Sequence, residues 1–571
     1  MTRSSTIART RRRGRGDVTE FLSLWRSPLD QVALYESQML GRRQVRCSIG
    51  QDEDFSAMTI FNYTKYVDSA GGDPNAALTN MFAAMAPGPY ATGGTAFIQQ
   101  RALSRNMLAS STGFSVPDQS NLIGSGGGGS LVGSPPPNDF HHFVIDFSGG
   151  TIFLSCTGSY TGGGIHFRGL SFKAAMPVPS TNDTCIYAAT DSCRAVNCVF
   201  TDIPTAFYAL GDNCTLEQCT ITYDTKDGAT AIVIAAAGCG IFGPAEIDQR
   251  PQGGANPGPA DCTAVSLEGA EQTVIADVHL TDWNIGVDFA QLGGAMDTEI
   301  RNCEIQCWQS ALNISVPSAM PNQIAGVKVT SCMLAKSTQS TDQSAIVLID
   351  PDGGIGQLSD ITLLDCTVFS GAASANAQYG LEIVGGTNVK ILGGTYSNNG
   401  SVGGAGIAIT GACGDIQILG ANLQPSYPWA GSVPGSNLNF QQYGLLVTAA
   451  PVGTVIVKGC DLTGYDRLLG QQPVNVTVPV AQGLFVENCP GYNDSNTALN
   501  LLTPPTSPTA AATCSTPYFG PSVVAFSNPT PVYLTVFGQT VALSFGVIYL
   551  PSPYDEISFA AAPSSFSWSG K

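Results

Sequence analysis

Residues 298–310 read TEIRNCEIQCWQS, and the hexapeptide at its centre, IRNCEI (300–305), decides the fold. Its form is an apolar residue, any residue, a turn-former, a small residue, any residue and a second apolar residue. The same form returns upstream as AVNCVF (195–200), LEQCTI (216–221), FGPAEI (242–247) and IADVHL (275–280). Downstream it returns as VTSCML (329–334), LLDCTV (363–368), ILGGTY (391–396), ILGANL (418–423), VKGCDL (457–462) and, fading, VENCPG (486–491). The steps of 21 to 39 residues suit one coil of a solenoid with loops of varying length.

The phase of the pattern carries geometry. Apolar residues alternate on either side of the turn-former, as they do in a strand, and the alternation slips by one at the corner. A residue in the left-handed conformation produces that slip, and Asn, Asp and Gly adopt it at least cost. Asn197, Asp277, Asn302, Asp365, Gly393, Gly420, Gly459 and Asn488 occupy the position. Further short strands follow, as in YGLEIVG (379–385), AGIAITG (405–411) and YGLLVT (443–448). Short strands and tight corners, coil upon coil, predict an all-β parallel β-helix. Stacking about 4.8 Å apart then turns equivalent positions into ladders. Cys198, Cys219, Cys303, Cys332, Cys366, Cys460 and Cys489 form an inward ladder of small side chains, and Cys193 and Cys214 begin another one strand earlier. A metal site is excluded at this spacing, since no histidine accompanies the cysteines and they spread over many coils.

The totals agree with this reading. Glycine is abundant (65 residues) and charge is sparse (12%), which favours tight corners over helical bundles or general disorder. Net charge is −18, yet residues 1–50 hold ten arginines against four acids, so that the remainder, −18 less +6, sits at −24. Such a body excludes nucleic-acid binding, which requires cations to displace phosphate counterions. The arginine run RTRRRGR (9–15) reads as a solvated tail or a contact for an acidic partner. No apolar run reaches the roughly 20 residues needed to cross a bilayer. The N-terminus lacks the apolar core of a secretion signal, so assembly in the cytoplasm is expected and the seventeen cysteines are expected as free thiols.

Before the solenoid, GGDPNAALTNMFAAM (71–85) predicts an amphipathic helix with Leu78, Met81, Phe82 and Met85 on one face. GGTAFI (93–98) follows as a strand, then VPDQSNLIGSGGGG (116–129), which lacks the lysine and the helix of a phosphate loop. Beyond the solenoid, TPPTSPTAAAT (503–513) is a linker, and NPTPVYLTVFG (528–538) with LPSPYDEISFAAAPSSFSWSG (550–570) makes a small β domain. The helix, the GG-T strand and the "VP…LIGSG" segment together resemble the opening of the pectate-lyase-like right-handed β-helix of phage tailspikes. The C-terminal segments are similar to the short β-sandwich of phage tail fibres. The lead here is GGDPNAAL, not the family's longer Gly-Asp-Gly motif, and IQQRAL stands where a Pro-Gly is usual. The resemblance implies an anchor region over 1–69, a β-helix over 70–502, a linker over 503–514 and a β-sandwich over 515–571. It further implies a homotrimer in the virion tail. The N-terminus would dock on a tail, baseplate or connector protein, and the β-helix flank on host surface polysaccharide. No cofactor and no membrane insertion are expected.

β-Helix glycan enzymes work with carboxylates on an outer face. Counting from the small residue of each repeat, Glu246, His279 and Glu304 share the next position on successive coils, and Asp248 lies two further on. Tyr223 and Asp282 share the fourth position, and Arg250, Trp283 and Trp308 the fifth. From Cys332 onward these positions turn mostly to Ser, Thr, Asn, Ala or Gly. This pattern predicts Glu304, Asp282, Glu246 and Asp248 as candidate acids and bases. Trp283 and Trp308 would form a sugar platform, flanked by His279, Tyr223 and Arg250. Outward glutamates also serve as a plain solvated face, and the tryptophans also fit beneath a loop or between subunits. Three functions stay open: an adhesin that binds polysaccharide, with or without cleaving it, a non-catalytic structural protein of the virion, and a secreted bacterial lyase or hydrolase.

Overall fold

The computed structural model describes residues 60–492, apart from loop segments of which 125–141, 250–260 and 426–440 are the longest, and most of 513–570. Residues 1–59, including the arginine run, lie outside the described residues. Thirty-six strands pair in parallel, each with the strand one coil before and one coil after it. The pairings run as three separate ladders, so each coil has three faces and the solenoid is a parallel β-helix. Face 1 runs from Ile60–Asn62 through Thr95–Ile98, His166–Arg168 and Glu299–Arg301 to Leu484–Glu487. Face 2 runs from Met107–Leu108 through Val199–Thr201 and Thr220–Tyr223 to Thr395–Ser397. Face 3 runs from Phe114–Ser115 through Thr205–Ala209 and Tyr379–Ile383 to Gln472–Val476. The long strand Val274–Asp288 serves faces 1, 2 and 3 in turn, and Glu304–Ser315 serves faces 2 and 3.

The corners are where the hexapeptide placed them. Asn197, Asp277, Asn302, Asp365 and Asn488 have φ between 50° and 58°, and Gly393, Gly420 and Gly459 lie at 65° to 67°. Neighbouring corners also bond to each other, the Asn302 amide donating to Asp277 Oδ1 at 3.3 Å. A second column of left-handed corners, between faces 3 and 1, contains Ser192, Asn213, Gln272, Asp297, Asp360 and Asn388.

All fifteen described cysteines are buried free thiols. Their recurrence has a specific cause. Each ladder cysteine donates its S–H to a carbonyl on the preceding coil, two residues ahead of that coil's corner. Cys198 reaches Phe167 O at 3.7 Å, Cys303 reaches Ile275 O at 3.6 Å and Cys366 reaches Val329 O at 3.6 Å. A thiol is small and apolar enough to pack there while still meeting an inward carbonyl. Burial pushes the Cys366 and Cys413 thiols up to about 12, which makes these two poor nucleophiles. The second ladder continues from Cys193 and Cys214 to Cys239 and then changes to Thr273 and Thr298. Inside face 2 the N-terminal coils stack Phe143 on Phe172 and Phe172 on Phe200, with centroids 5.4 and 5.2 Å apart.

The predicted helix forms over Pro74–Met85, capped by Asp73, whose carboxylate accepts from Asn75 N at 2.9 Å. Leu78, Met81, Phe82 and Met85 are all buried in the same core as the solenoid. A helix not foreseen, Tyr63–Ser69, precedes it, and Ile60–Asn62 pairs with Thr95–Phe97. The solenoid therefore takes in residues ahead of the boundary expected at 70. At the C-terminus the described residues form one five-stranded antiparallel sheet, built on the hairpin of Ser522–Val536 and Gln539–Leu550.

Candidate functional site

The outward column predicted on face 2 exists. Glu246 is the register partner of His279, and His279 that of Glu304. His279 Nδ1 lies 3.2 Å from Glu304 Oε2, with both side chains substantially exposed. One step along the strands, Asp248 pairs with Thr281, whose hydroxyl donates to Asp248 Oδ1 at 3.0 Å. Alternation sends these side chains outward because Ile247, Leu280 and Ile305 between them are buried.

Asp282 breaks the alternation. It sits at φ 62°, and the register jumps there: Thr281 pairs with Gln306, but Trp283 with Cys307. The left-handed residue adds one position and turns the next side chain inward. Trp283 is therefore in the core, with no exposed surface; its indole N–H donates to Ile247 O at 3.1 Å and its ring stacks on buried Tyr223, centroids 6.2 Å apart. Trp308 is buried as well, at 6% exposure, and its indole nitrogen finds no acceptor among the described residues. A second register jump between Cys307 and Ser310 leaves it out of line with Trp283. The expected sugar platform of Trp283 and Trp308, with Tyr223 beside it, is thus corrected: Trp283 and Tyr223 pack in the core behind the flank, and Trp308 is buried without joining that core. Arg250 lies outside the described residues.

The same bulge leaves the Asp282 carboxyl half-buried. Burial raises its pKa, the Asp248 carboxylate adds to the rise, and the Ser337 hydroxyl, donating at 3.4 Å, opposes it. Beside it lies a buried cation that the sequence reading missed. The Lys336 side chain is inaccessible, and its ammonium donates to Asp342 O at 2.8 Å, Ser344 O at 2.6 Å and Asp342 Oδ1 at 3.2 Å. Burial lowers its pKa to about 8 against the pull of Asp342. The Ser340 hydroxyl donates to the Trp308 carbonyl. The flank thus places one carboxyl biased towards its protonated form near carboxylates exposed to solvent, an arrangement able to donate and accept a proton.

Face 3 carries carboxyls that sequence reasoning did not single out. Burial raises the pKa of Glu268, hydrogen bonds from Tyr208 and Ser266 oppose, and Asp288 adds to it. Burial likewise raises Glu382, the Thr410 hydroxyl opposes at 2.8 Å, and Asp350 adds. A groove of about 280 Å3 lies between them, lined by Gln309, Asn313, Ser315, Ser344 and Asp350 among others. The alternation in YGLEIVG marked Glu382 as outward, but acids on face 3 are spread over too many coils to read as a column.

The fold defines the chain as a parallel β-helix protein with a C-terminal antiparallel sheet. No family model matches it, and no curated protein matches it. Among solved structures it is similar to tailspike protein 3 of bacteriophage CBA120, with 12% identity over 86% of this chain and 73% of that one, at a TM-score of 0.48. A mutant tailspike of E. coli bacteriophage HK620 in complex with pentasaccharide is 9% identical over 87% and 88%, also at 0.48. The A-module of the Azotobacter vinelandii mannuronan C-5 epimerase AlgE6 is 12% identical over 76% and 100%, at 0.35.

Proposed function

We propose that the chain is a viral adhesin, the tailspike or tail fibre of a bacterial virus, and that it recognises a polysaccharide on its host's surface. The observation that carries this is the column Glu246–His279–Glu304, which stands on a flank whose later rungs are plain. A long rigid wall of this kind presents hydrogen-bonding groups at a fixed spacing of about 4.8 Å, suited to a polymer of repeating hydroxylated units. The sequence resemblance at both ends supplies the rest of the reading. The chain forms a homotrimer in the virion tail, the residues ahead of Ile60 dock on a tail or baseplate connector, and the subunits assemble in the host cytoplasm.

Cleavage is a second reading, favoured by Asp282. Its raised carboxyl serves as general acid, and Glu304, Glu246 or Asp248 as the ionised partner. The test is retention of the purified chain on host envelope polysaccharide, with release of oligosaccharide followed in parallel. Retention with release that disappears in Asp282→Asn and Glu304→Gln supports adhesin and enzyme together. Retention without release leaves a binding protein. Failure to retain any envelope glycan sinks the adhesin and leaves a structural role, and a monomer by light scattering removes the tailspike assembly.

A further inference from the structure

Near the N-terminal end of the solenoid, face 1 gathers the charge this molecule has least of. Residues 51–571 hold fifteen Lys and Arg against thirty-nine acids. Two of the fifteen, Arg168 and Arg194, line one recess of about 110 Å3 together with Asn121, Ile123, His166 and Val196. The register explains the grouping. Asn121, His166 and Arg194 stack as one outward column, and Ile123, Arg168 and Val196 as the next. Side chains on neighbouring coils are therefore held about 4.8 Å apart by backbone bonds, not by flexible contacts.

The two arginines differ in freedom. Arg194 is held by Glu217, Nη2 to Oε2 at 2.5 Å, and the Thr215 hydroxyl steadies Glu217 from the other side at 3.3 Å. Arg168 makes no ion pair among the described residues and is exposed. The two guanidiniums and one carboxylate leave the recess with a positive charge. His166 adds none at neutral pH, since burial lowers its pKa, Arg194 and Arg168 lower it further, and only Glu217 opposes. A neutral imidazole offers one donor and one acceptor. Ile123 and Val196 flank Arg168 in its own column and supply the apolar surface there.

We infer that this recess holds an anionic substituent, a carboxylate or a phosphate, of the polysaccharide, so that the glycan recognised by this chain is an acidic one. The inference rests on the adhesin reading. A guanidinium fork takes two oxygens of an oxyanion at once, and Arg168 is the free fork. Asn121 and His166 then meet sugar hydroxyls, while the apolar pair lies against ring C–H groups. The acidic body repels a polyanion at a distance, but screening over about 8 Å at physiological ionic strength confines that repulsion and leaves the recess to act at contact.

The full chain is tested against a panel of purified bacterial surface polysaccharides, acidic and neutral. The bound polymer is tested again after carboxyl reduction and after dephosphorylation. The expected outcome is an acidic ligand whose binding weakens about ten-fold or more in one of those two forms and in Arg168→Gln. Lys328→Gln, an exposed cation elsewhere on face 1, is expected to bind as the parent does. A neutral ligand, or an acidic one bound equally well after both treatments and by Arg168→Gln, overturns the recess and leaves the adhesin standing. The second measurement uses the chain's four histidines, labelled with carbon-13 and followed by NMR during titration with galacturonate and with inorganic phosphate. A His166 shift that is lost in Arg168→Gln supports the recess even when no polysaccharide binds, an outcome that removes the adhesin alone. With neither shift nor polysaccharide binding, both fall.

Discussion

Two stretches of face 2 share a backbone and differ in what they show to solvent. Over residues 246–306 the outward columns read Glu246, His279, Glu304 and Asp248, Thr281, Gln306. Over 333–397 the same columns read Met333, Thr367, Thr395 and Ala335, Phe369, Ser397, of which Ala335 and Ser397 are buried. Behind both, an unbroken inner column runs Ile247, Leu280, Ile305, Leu334, Val368, Tyr396, every member buried. The fold constrains the inward residues and the corners and leaves the outward columns free. Ionisable groups confined to a few rungs of a free column are not needed for packing, and that is the ground on which we propose the stretch as the glycan site.

Substitutions that cross from the outward set to the inward set give the largest effects. Trp283 belongs to the inward set despite its position in the acidic stretch. Trp283→Ala is expected to cost about 3–5 kcal/mol, through the lost core volume and the lost stack on Tyr223. It should show as faster unfolding in denaturant. An alanine variant of parental stability that no longer bound glycan would return Trp283 to the surface and undo the contrast. Corners come next. Asn302 holds φ 52°, so Asn302→Ala should cost about 1–2 kcal/mol and Asn302→Gly only a fraction of that. Equal losses in the two variants would show that the Asp277 hydrogen bond, and not backbone conformation, fixes the corner.

The same division explains what was legible in the sequence. Inward residues and corners repeat, so IRNCEI and its relatives revealed the coil, the cysteine ladder and all eight named corner residues. The helix over Pro74–Met85 was legible from its apolar face. The column Glu246–His279–Glu304 was legible because it lies one residue past the repeat, before any irregularity accumulates. Trp283 was misread because Asp282 inserts a left-handed residue between the repeat and it, and counting along the chain then assigns the wrong face. Nothing local distinguishes Asp282 from an ordinary outward aspartate. Lys336 was hidden for another reason: its carbonyl partners at 342 and 344 belong to a loop whose return to the core has no periodic signal.

Asp282 stands between the two sets, and its pH dependence sharpens the contrast. Burial and Asp248 raise its pKa in the folded chain, so the folded chain holds this proton more tightly than the unfolded chain. Its contribution to stability is greatest in acid and is lost as pH rises from the ordinary value near 4 through the raised one. Asp282→Asn removes that slope. At neutral pH it should stabilise by less than about 1 kcal/mol, because the half-exposed group is partly screened. Denaturation midpoints of parent and variant from pH 4 to 8 should diverge with rising pH. A parallel pair of curves would mean that Asp282 titrates as an ordinary surface acid and has no claim to a general-acid role.

The smallest expected stability effect belongs to the most exposed pair. His279 and Glu304 meet at 3.2 Å but remain well solvated, so His279→Gln and Glu304→Gln should each change stability by no more than about 0.5 kcal/mol. Met333 and Thr367 already occupy the same column with the same backbone, so the fold tolerates uncharged side chains there. Glycan retention should nevertheless fall in both variants, and oligosaccharide release, where present, should fall most in Glu304→Gln. The control is Thr367→Gln, which places the same amide two coils further along this column. Equal retention by Glu304→Gln, Thr367→Gln and the parent would make the acidic rungs a solvated face like any other. A loss confined to Glu304→Gln, with unfolding unchanged, separates the two stretches by function where their backbones are the same.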